Sequence, residues 1–310
     1  MIKDFPHALN AMFGVIALLT GASFITSSLI KKYPLKDYTE LRLRVQSWWW
    51  IIAAVFIVLA LGKVPTLIFF AMLSFLALKE FLSITPVRQA DRGVIFLLYM
   101  AIPIQYYWVA TQWYGMSIIF IPVFVFLFVP ILMIFTGKDS EGFVSSAGLM
   151  NLALMLTVFC VSHMGLLLFL DAQNAFAGSA GLILFLLFMT QFNDVSQYAW
   201  GKTLGSRKIA PRISPNKTWE GFLGGVLSLV IISVFAGPYL TSMSIKESCI
   251  AALLIACGGF LGDLVVSSIK RDLHLKDTGK MIPGHGGLLD RIDSLIYASP
   301  LFFHYINYVR

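Results

Sequence analysis

Charge is scarce in this sequence. Only 13% of its 310 residues are Asp, Glu, Lys or Arg, while 58% are hydrophobic and the mean hydropathy is +0.81. A soluble domain carries roughly 25% charged residues, so the shortfall excludes an ordinary soluble or disordered chain. Cysteine is nearly absent too. Cys160, Cys249 and Cys257 each lie inside an apolar run without metal-ligand spacing, which excludes a disulfide framework or a zinc pattern and leaves three small packing residues. There is no internal repeat, no low-complexity segment and no polar stretch long enough for a separate soluble domain. The first apolar run, about Ala8 to Ile30, follows a single lysine and is longer than a signal core, so it reads as a retained helix.

What the chain does hold is a series of apolar runs of membrane length, about 20 residues each. Ten spans can be drawn at 8–30, 45–62, 64–82, 93–111, 116–135, 147–170, 179–200, 221–240, 247–267 and 293–309. The expected fold is all-α: a polytopic integral membrane protein with about nine or ten transmembrane helices. Residues 1–178 supply the N-terminal helices and residues 179–310 the catalytic helices of one integrated domain. Gly62-Lys63-Val64-Pro65 divides spans two and three. Pro103, Pro122, Pro130 and the small pair Gly258/Gly262 read as kinking and packing devices in lipid, and Trp48-Trp49-Trp50 as an interfacial belt.

The net charge of +7 points to basic loops rather than to nucleic acid. With the N-terminus outside, 19 of the 23 lysines and arginines fall in or beside the loops after spans one, three, five, seven and nine, a bias that assigns those loops to the cytoplasm. The two most polar loops then share one face, where soluble nucleotides are found.

The first polar cluster begins inside span seven. Asn193, Asp194 and Gln197 make one wet helical face, and a carboxylate at membrane depth is a functional candidate; helix packing by Asn193 and Gln197 is the plainer alternative. Lys202, Arg207, Lys208 and the run Ser214-Pro215-Asn216-Lys217-Thr218 follow. They offer hydroxyls and ammonium groups for phosphates, although Thr218 or Ser214 could equally cap span eight. No GxxxxGK[ST] loop is present, so a Walker-type site is excluded. The second cluster, 262–293, holds Asp263, Asp272, Asp277, Asp290 and Asp293 beside Lys270, Arg271, Lys276, Lys280 and Arg291, around Pro283-Gly284-His285-Gly286-Gly287. Carboxylates for Mg²⁺, cations for phosphate oxygens and glycines for close backbone approach are the needs of phosphate chemistry.

These residues carry a resemblance. Ser267, Lys270-Arg271, Lys276-Asp277, Gly279, Pro283, His285-Gly286-Gly287 and Asp290-Arg291-x-Asp293, with Asn193-Asp194, Tyr198, Gly201, Gly205 and Ser214-Pro215-x-Lys217-Thr218-x-Glu220-Gly221 before them, resemble the pattern of phosphatidate cytidylyltransferases (CDP-diacylglycerol synthases). The likeness covers about residues 190–293. It departs at Gln197, where an alanine is usual, and at Val266, where a glutamate usually precedes the signature serine; an altered acceptor or a divergent subfamily would follow from such changes.

The resemblance implies transfer of CMP from CTP to phosphatidic acid, with release of pyrophosphate. The expected site has Asp263 and Asp290 as principal Mg²⁺ ligands and Asp293 and Asp194 as further ligands or orienters, with a second, monovalent cation such as K⁺ allowed. Lys217, Lys270 and Arg271 would neutralise the triphosphate, assisted by Lys202 and Arg291. Ser214, Thr218 and Asn193 would help bind substrate, and the His285-Gly286-Gly287 turn would supply backbone donors. His163 and His274 read as bystanders. The implied setting is a bacterial inner membrane with the site facing the cytoplasm, a lipid acceptor, no nucleic acid, and a homodimer by resemblance alone. Rival readings are a CTP-dependent polyprenol kinase, a cytidylyltransferase for another phospholipid-like acceptor, an ion-path transporter, and an inactive lipid-binding protein.

Overall fold

The computed structural model describes residues 5–33, 37–88, 91–136, 140–170, 174–279, 281 and 286–309. Ten helices carry the fold: α1 Pro6–Lys32, α2 Thr39–Leu61, α3 Lys63–Ile84, α4 Arg92–Ala110, α5 Tyr114–Thr136, α6 Phe143–Leu167, α7 Gly178–Leu204, α8 Trp219–Leu240, α9 Ile245–Asp272 and α10 Leu289–Val309. Every expected span is a helix. Among the described residues the first nine are long and apolar enough to cross a membrane, while α10 opens on Asp290, Arg291 and Asp293. Gly62, at φ +113°, breaks the chain between α2 and α3 as expected. Pro103 and Pro130 lie inside helices, and Pro122 sits in a π turn over Phe120–Val125.

Caps and small residues set the C-terminal quartet. Thr218 Oγ1 accepts from the Gly221 amide at 3.1 Å and starts α8. A reciprocal Ser244/Glu247 capping box starts α9. Gly258 and Gly262 let α10 lie directly on α9: a Cβ at Gly262 would collide with the Asp293 carbonyl, and one at Gly258 would meet Ala298 Cα at 3.3 Å. The N-terminal part does not stand apart from this quartet. Ser299 of α10 donates to the Cys160 carbonyl of α6 at 3.3 Å, and His163 and His304 face each other through their Nε2 atoms, also at 3.3 Å. Helices α1 and α2 stay largely exposed at the periphery.

One element was not expected. Between α7 and α8 the chain forms an antiparallel hairpin, β1 Lys208–Ala210 and β2 Ser214–Thr218, with Lys208 opposite Thr218 and Ala210 opposite Ser214. Strands of three and five residues, interrupted by Pro215, are too short to show a two-residue hydrophobic alternation. Arg271, at the end of α9, donates through Nε to the Ile213 carbonyl at 3.1 Å and so ties this hairpin to the second polar cluster. The two polar clusters therefore meet at one end of the bundle.

Candidate active site

A cavity of about 370 Å³ opens at that end, between α7, β2, the start of α8, α9 and the start of α10. Its walls bring together Asp194, Lys217, Asp263, Lys270, Asp290, Arg291 and Asp293, with Ser214, Thr218 and Gln197. Side chains separated by a hundred positions are thus neighbours.

The charges are arranged in tiers. Lys217 Nζ lies 2.8 Å from Asp263 Oδ2, donates to the Phe260 carbonyl at 3.3 Å and stands 4.3 Å from the centroid of the Phe260 ring. Ser267 Oγ donates to Asp263 Oδ1 at 3.1 Å. Deeper, Lys270 Nζ pairs with Asp290 Oδ1 at 2.7 Å, both side chains nearly closed to solvent. The other oxygen of Asp290 accepts from the Thr278 amide at 2.9 Å, from Thr278 Oγ1 at 3.0 Å and from the Gly287 amide at 3.0 Å.

Asp290 is therefore not placed as an open ligand. Both of its oxygens are taken, and a carboxylate offers only about four acceptor positions. The same geometry occupies the Gly287 amide, which was expected to face a phosphate. Gly286, at φ +82°, and Gly287 are there because the turn folds onto Asp290; a Cβ at Gly286 would lie 2.9 Å from Asp290 Oδ2. His285 lies outside the described residues.

Asp194 and Asp293 are placed differently. Ser294 lies between them, its Oγ donating to Asp194 Oδ1 at 3.2 Å and its amide to Asp293 Oδ1 at 2.8 Å. Among the described residues neither carboxylate has a lysine or arginine at ion-pair distance, and the charges of Asp263 and Arg291 are near enough to act on both. Three acids thus face a space in which Lys217 is paired with one of them, Asp263. No three such groups surround a single point closely enough to form a ready-made metal cage among the described residues; what is present is an acidic wall open to solvent.

Other expected residues divide. Arg291 and Gln197 line the cavity, and Arg291 Nε and Gln197 Nε2 are buried there without a partner among the described residues. Asn193 is fully buried, its Nδ2 facing the Ala256 carbonyl of α9 at 3.5 Å, and its Oδ1 has no partner among the described residues. Thr218 lines the cavity while capping α8. Arg271 is not among the cavity-lining residues; it donates to the Ile213 carbonyl of the hairpin and to the Leu275 carbonyl just past its own helix. Lys202 is exposed at the rim, 5.7 Å from the ring centroid of Tyr198, itself a wall residue. Val266 is buried in apolar packing rather than in the cavity wall.

Sequence reasoning missed Glu80. This carboxylate, in the last turn of α3 and 7% exposed, accepts from Thr278 Oγ1, from the Leu288 amide at 2.8 Å and from the Leu289 amide at 3.0 Å. The signal was available, since a lone acid in an apolar span is costly wherever it occurs; the rule singled out Asp194 and applies equally to Glu80.

The model of the cytidylyltransferase family matches residues 42–309. The chain belongs to the cytidylyltransferase family. It is similar to an uncharacterized protein, YnbB, of Escherichia coli (strain K12), with 41% identity over 294 residues, covering 95% of this chain and 96% of that one. It is also similar to a phosphatidate cytidylyltransferase of Bacillus subtilis (strain 168), 32% identical over 259 residues, 81% of this chain and 92% of the relative. A phosphatidate cytidylyltransferase of Staphylococcus epidermidis (strain RP62A) is 39% identical over 120 residues, 38% of this chain and 46% of that one. This cytidylyltransferase is thus a nucleotidyltransferase of membrane-length helices, and the family match runs through α3 as well as the polar clusters.

Proposed function

We propose that this cytidylyltransferase moves CMP from CTP to phosphatidic acid, giving CDP-diacylglycerol and pyrophosphate. The observation that supports this most is the cavity itself: an acidic wall of Asp194, Asp263 and Asp293 facing Lys217, Lys270 and Arg291, where membrane-length helices end in polar loops. A lipid acceptor suits that position. Its acyl chains stay among the exposed apolar side chains of α8, such as Leu223 and Leu227, while its phosphate meets a soluble nucleotide.

A phosphate oxygen of the lipid forms a bond to the α-phosphorus of CTP; the bond from that phosphorus to the oxygen bridging the β-phosphate breaks, and pyrophosphate leaves with the electron pair. The attacking monoester is already anionic near neutral pH, its second pKa being about 6, so no general base is required. Lys217, Lys270 and Arg291 offset the phosphate charge, and the two lysines are held in place by their aspartate partners before substrate arrives. Asp263, Asp293 and Asp194 would hold Mg²⁺, which needs only one or two carboxylates because it retains waters and shares substrate phosphates. Bound there, the ion supplies Lewis-acid stabilisation of the phosphate oxygens. With Asp277, which also lines the wall, five aspartates against three cations leave room for a monovalent ion such as K⁺. Asp290 keeps Lys270, Thr278 and Gly287 in register, and Arg271 keeps the hairpin. In a bacterial inner membrane the cavity faces the cytoplasm, where CTP is; a homodimer completes the reading.

The test follows the label. Purified protein is given Mg²⁺, phosphatidic acid and CTP labelled at either the α- or the γ-phosphorus. The proposal expects α-label in lipid and γ-label in pyrophosphate. Label entering lipid from the γ-position alone would make the protein a lipid kinase, and no lipid label from phosphatidic acid but some from another phospholipid would change the acceptor.

A further inference from the structure

We infer that Glu80 is a positioning residue for the transfer: from α3 it latches Thr278 to the start of α10 and, through Thr278 and Asp290, sets Lys270 in the cavity. For its kinetic consequence the inference rests on the transfer reading above; its structural part stands alone.

The inference begins with burial. A carboxylate nearly closed to water persists only where donors reach it, and Glu80 meets three, all from residues 198 to 209 positions away. Two of them, the Leu288 and Leu289 amides, come from the residue before α10 and its first residue, a helix start where backbone donors lack helical partners and an anion is favoured. The third is the Thr278 hydroxyl, which also lies 3.0 Å from Asp290 Oδ2. With one proton, that hydroxyl donates to one carboxylate at a time; while it serves Glu80, the Thr278 amide keeps the link to Asp290 Oδ2 at 2.9 Å. Asp290 in turn grips Lys270 at 2.7 Å. A continuous relay therefore runs from α3 to the cavity wall: Glu80, Thr278, Asp290, Lys270. Gly287 fits this relay, because a Cβ there would collide with Glu80 Oε1 and Thr278 Oγ1. A plain helix cap would not require the Thr278 link, and a plain packing residue would not be charged.

The test uses Glu80→Gln in the full-length protein, which keeps shape and volume but turns one acceptor into a donor facing the amides. The expectation is a folded protein whose kcat for label transfer falls by roughly 10- to 100-fold, the range set by losing a hydrogen bond to a charged group, with a smaller change in KM for CTP. Faster hydrogen exchange at residues 278 and 287–289, and nowhere in α5 or α6, should accompany it. Thr278→Val, which removes the hydroxyl at constant shape, should give a similar loss, and the double variant should lose no more than the worse single one. Thr278→Val also carries the test if Glu80→Gln does not fold. Wild-type kcat and exchange in either folded variant, or additive losses in the double variant, would overturn the latch. If wild-type protein labels no lipid, the transfer reading fails instead; unchanged exchange in the variants would then still refute the latch.

Discussion

The two lysines of the cavity look alike in sequence but have different surroundings. Lys270 and Asp290 are nearly closed to solvent, with side-chain exposures of 11% and 4%, whereas Asp263 remains 32% exposed. Removing one partner of a buried pair costs about 3–5 kcal/mol, because the other charge is left without compensation. We therefore expect Lys270→Ala to lower stability by about that much in chemical denaturation. Lys217→Ala, whose partner Asp263 can turn to water, should cost about 1 kcal/mol and yet abolish most transfer activity. Equal destabilisation by both would contradict this ordering. At this scale the sequence was partly legible. Asp194, Asp263 and Asp293 stood out as acids beside apolar runs, but nothing in a linear pattern shows that Asp290 spends its oxygens on its own loop, or that Arg271 spends its donors on a hairpin.

Helix ends and turns decide what those side chains can do. Thr218 starts α8 and lines the cavity, so Thr218→Ala should cost about 1 kcal/mol in stability, while Thr218→Ser keeps the cap and should restore it; thermal unfolding of the two variants measures this. Arg271→Ala loosens the hairpin rather than emptying the cavity. Its effect on kcat should be roughly 3- to 10-fold, the loss of about one hydrogen bond of ~1 kcal/mol, and clearly smaller than that of Lys217→Ala in the same label-transfer assay. Elsewhere, the segment before α4 is tied to the first turn of α6 through another buried acid. Asp91 accepts from Arg88 Nε at 2.7 Å, from Arg88 Nη2 at 3.0 Å and from Ser146 Oγ at 2.7 Å. Burial alone would push the Asp91 carboxyl up, but these donors and the Arg88 charge outweigh it and hold the carboxyl below its ordinary value. The ten helices were legible because length and hydropathy identify a span without help from tertiary contacts. The hairpin was not, since its few polar residues take their shape from α7, α8 and Arg271.

For the molecule as a whole, the apolar runs foretold the bundle and the motif resemblance foretold the family, which matches residues 42–309. Neither revealed that Glu80 of α3 meets Thr278 and the start of α10, because those partners lie some 200 positions away. The sidedness of the bundle is testable in intact cells. In a cysteine-free background, Arg212→Cys in the hairpin should react with an impermeant thiol reagent only after the cells are opened, and Lys246→Cys in the first turn of α9 should react from outside; the reverse pattern would place the cavity on the wrong side for CTP.

The central claim is that the acids of the cavity wall serve transfer of the cytidylyl group rather than the fold. Its most direct test is the rate of α-label transfer from CTP to phosphatidic acid by Asp293→Asn protein that matches wild type in thermal unfolding. The account predicts a fall in kcat of roughly 100-fold or more, the scale of losing one preorganised electrostatic element of a phosphoryl-transfer site. A folded Asp293→Asn protein that labels lipid at the wild-type rate would contradict it.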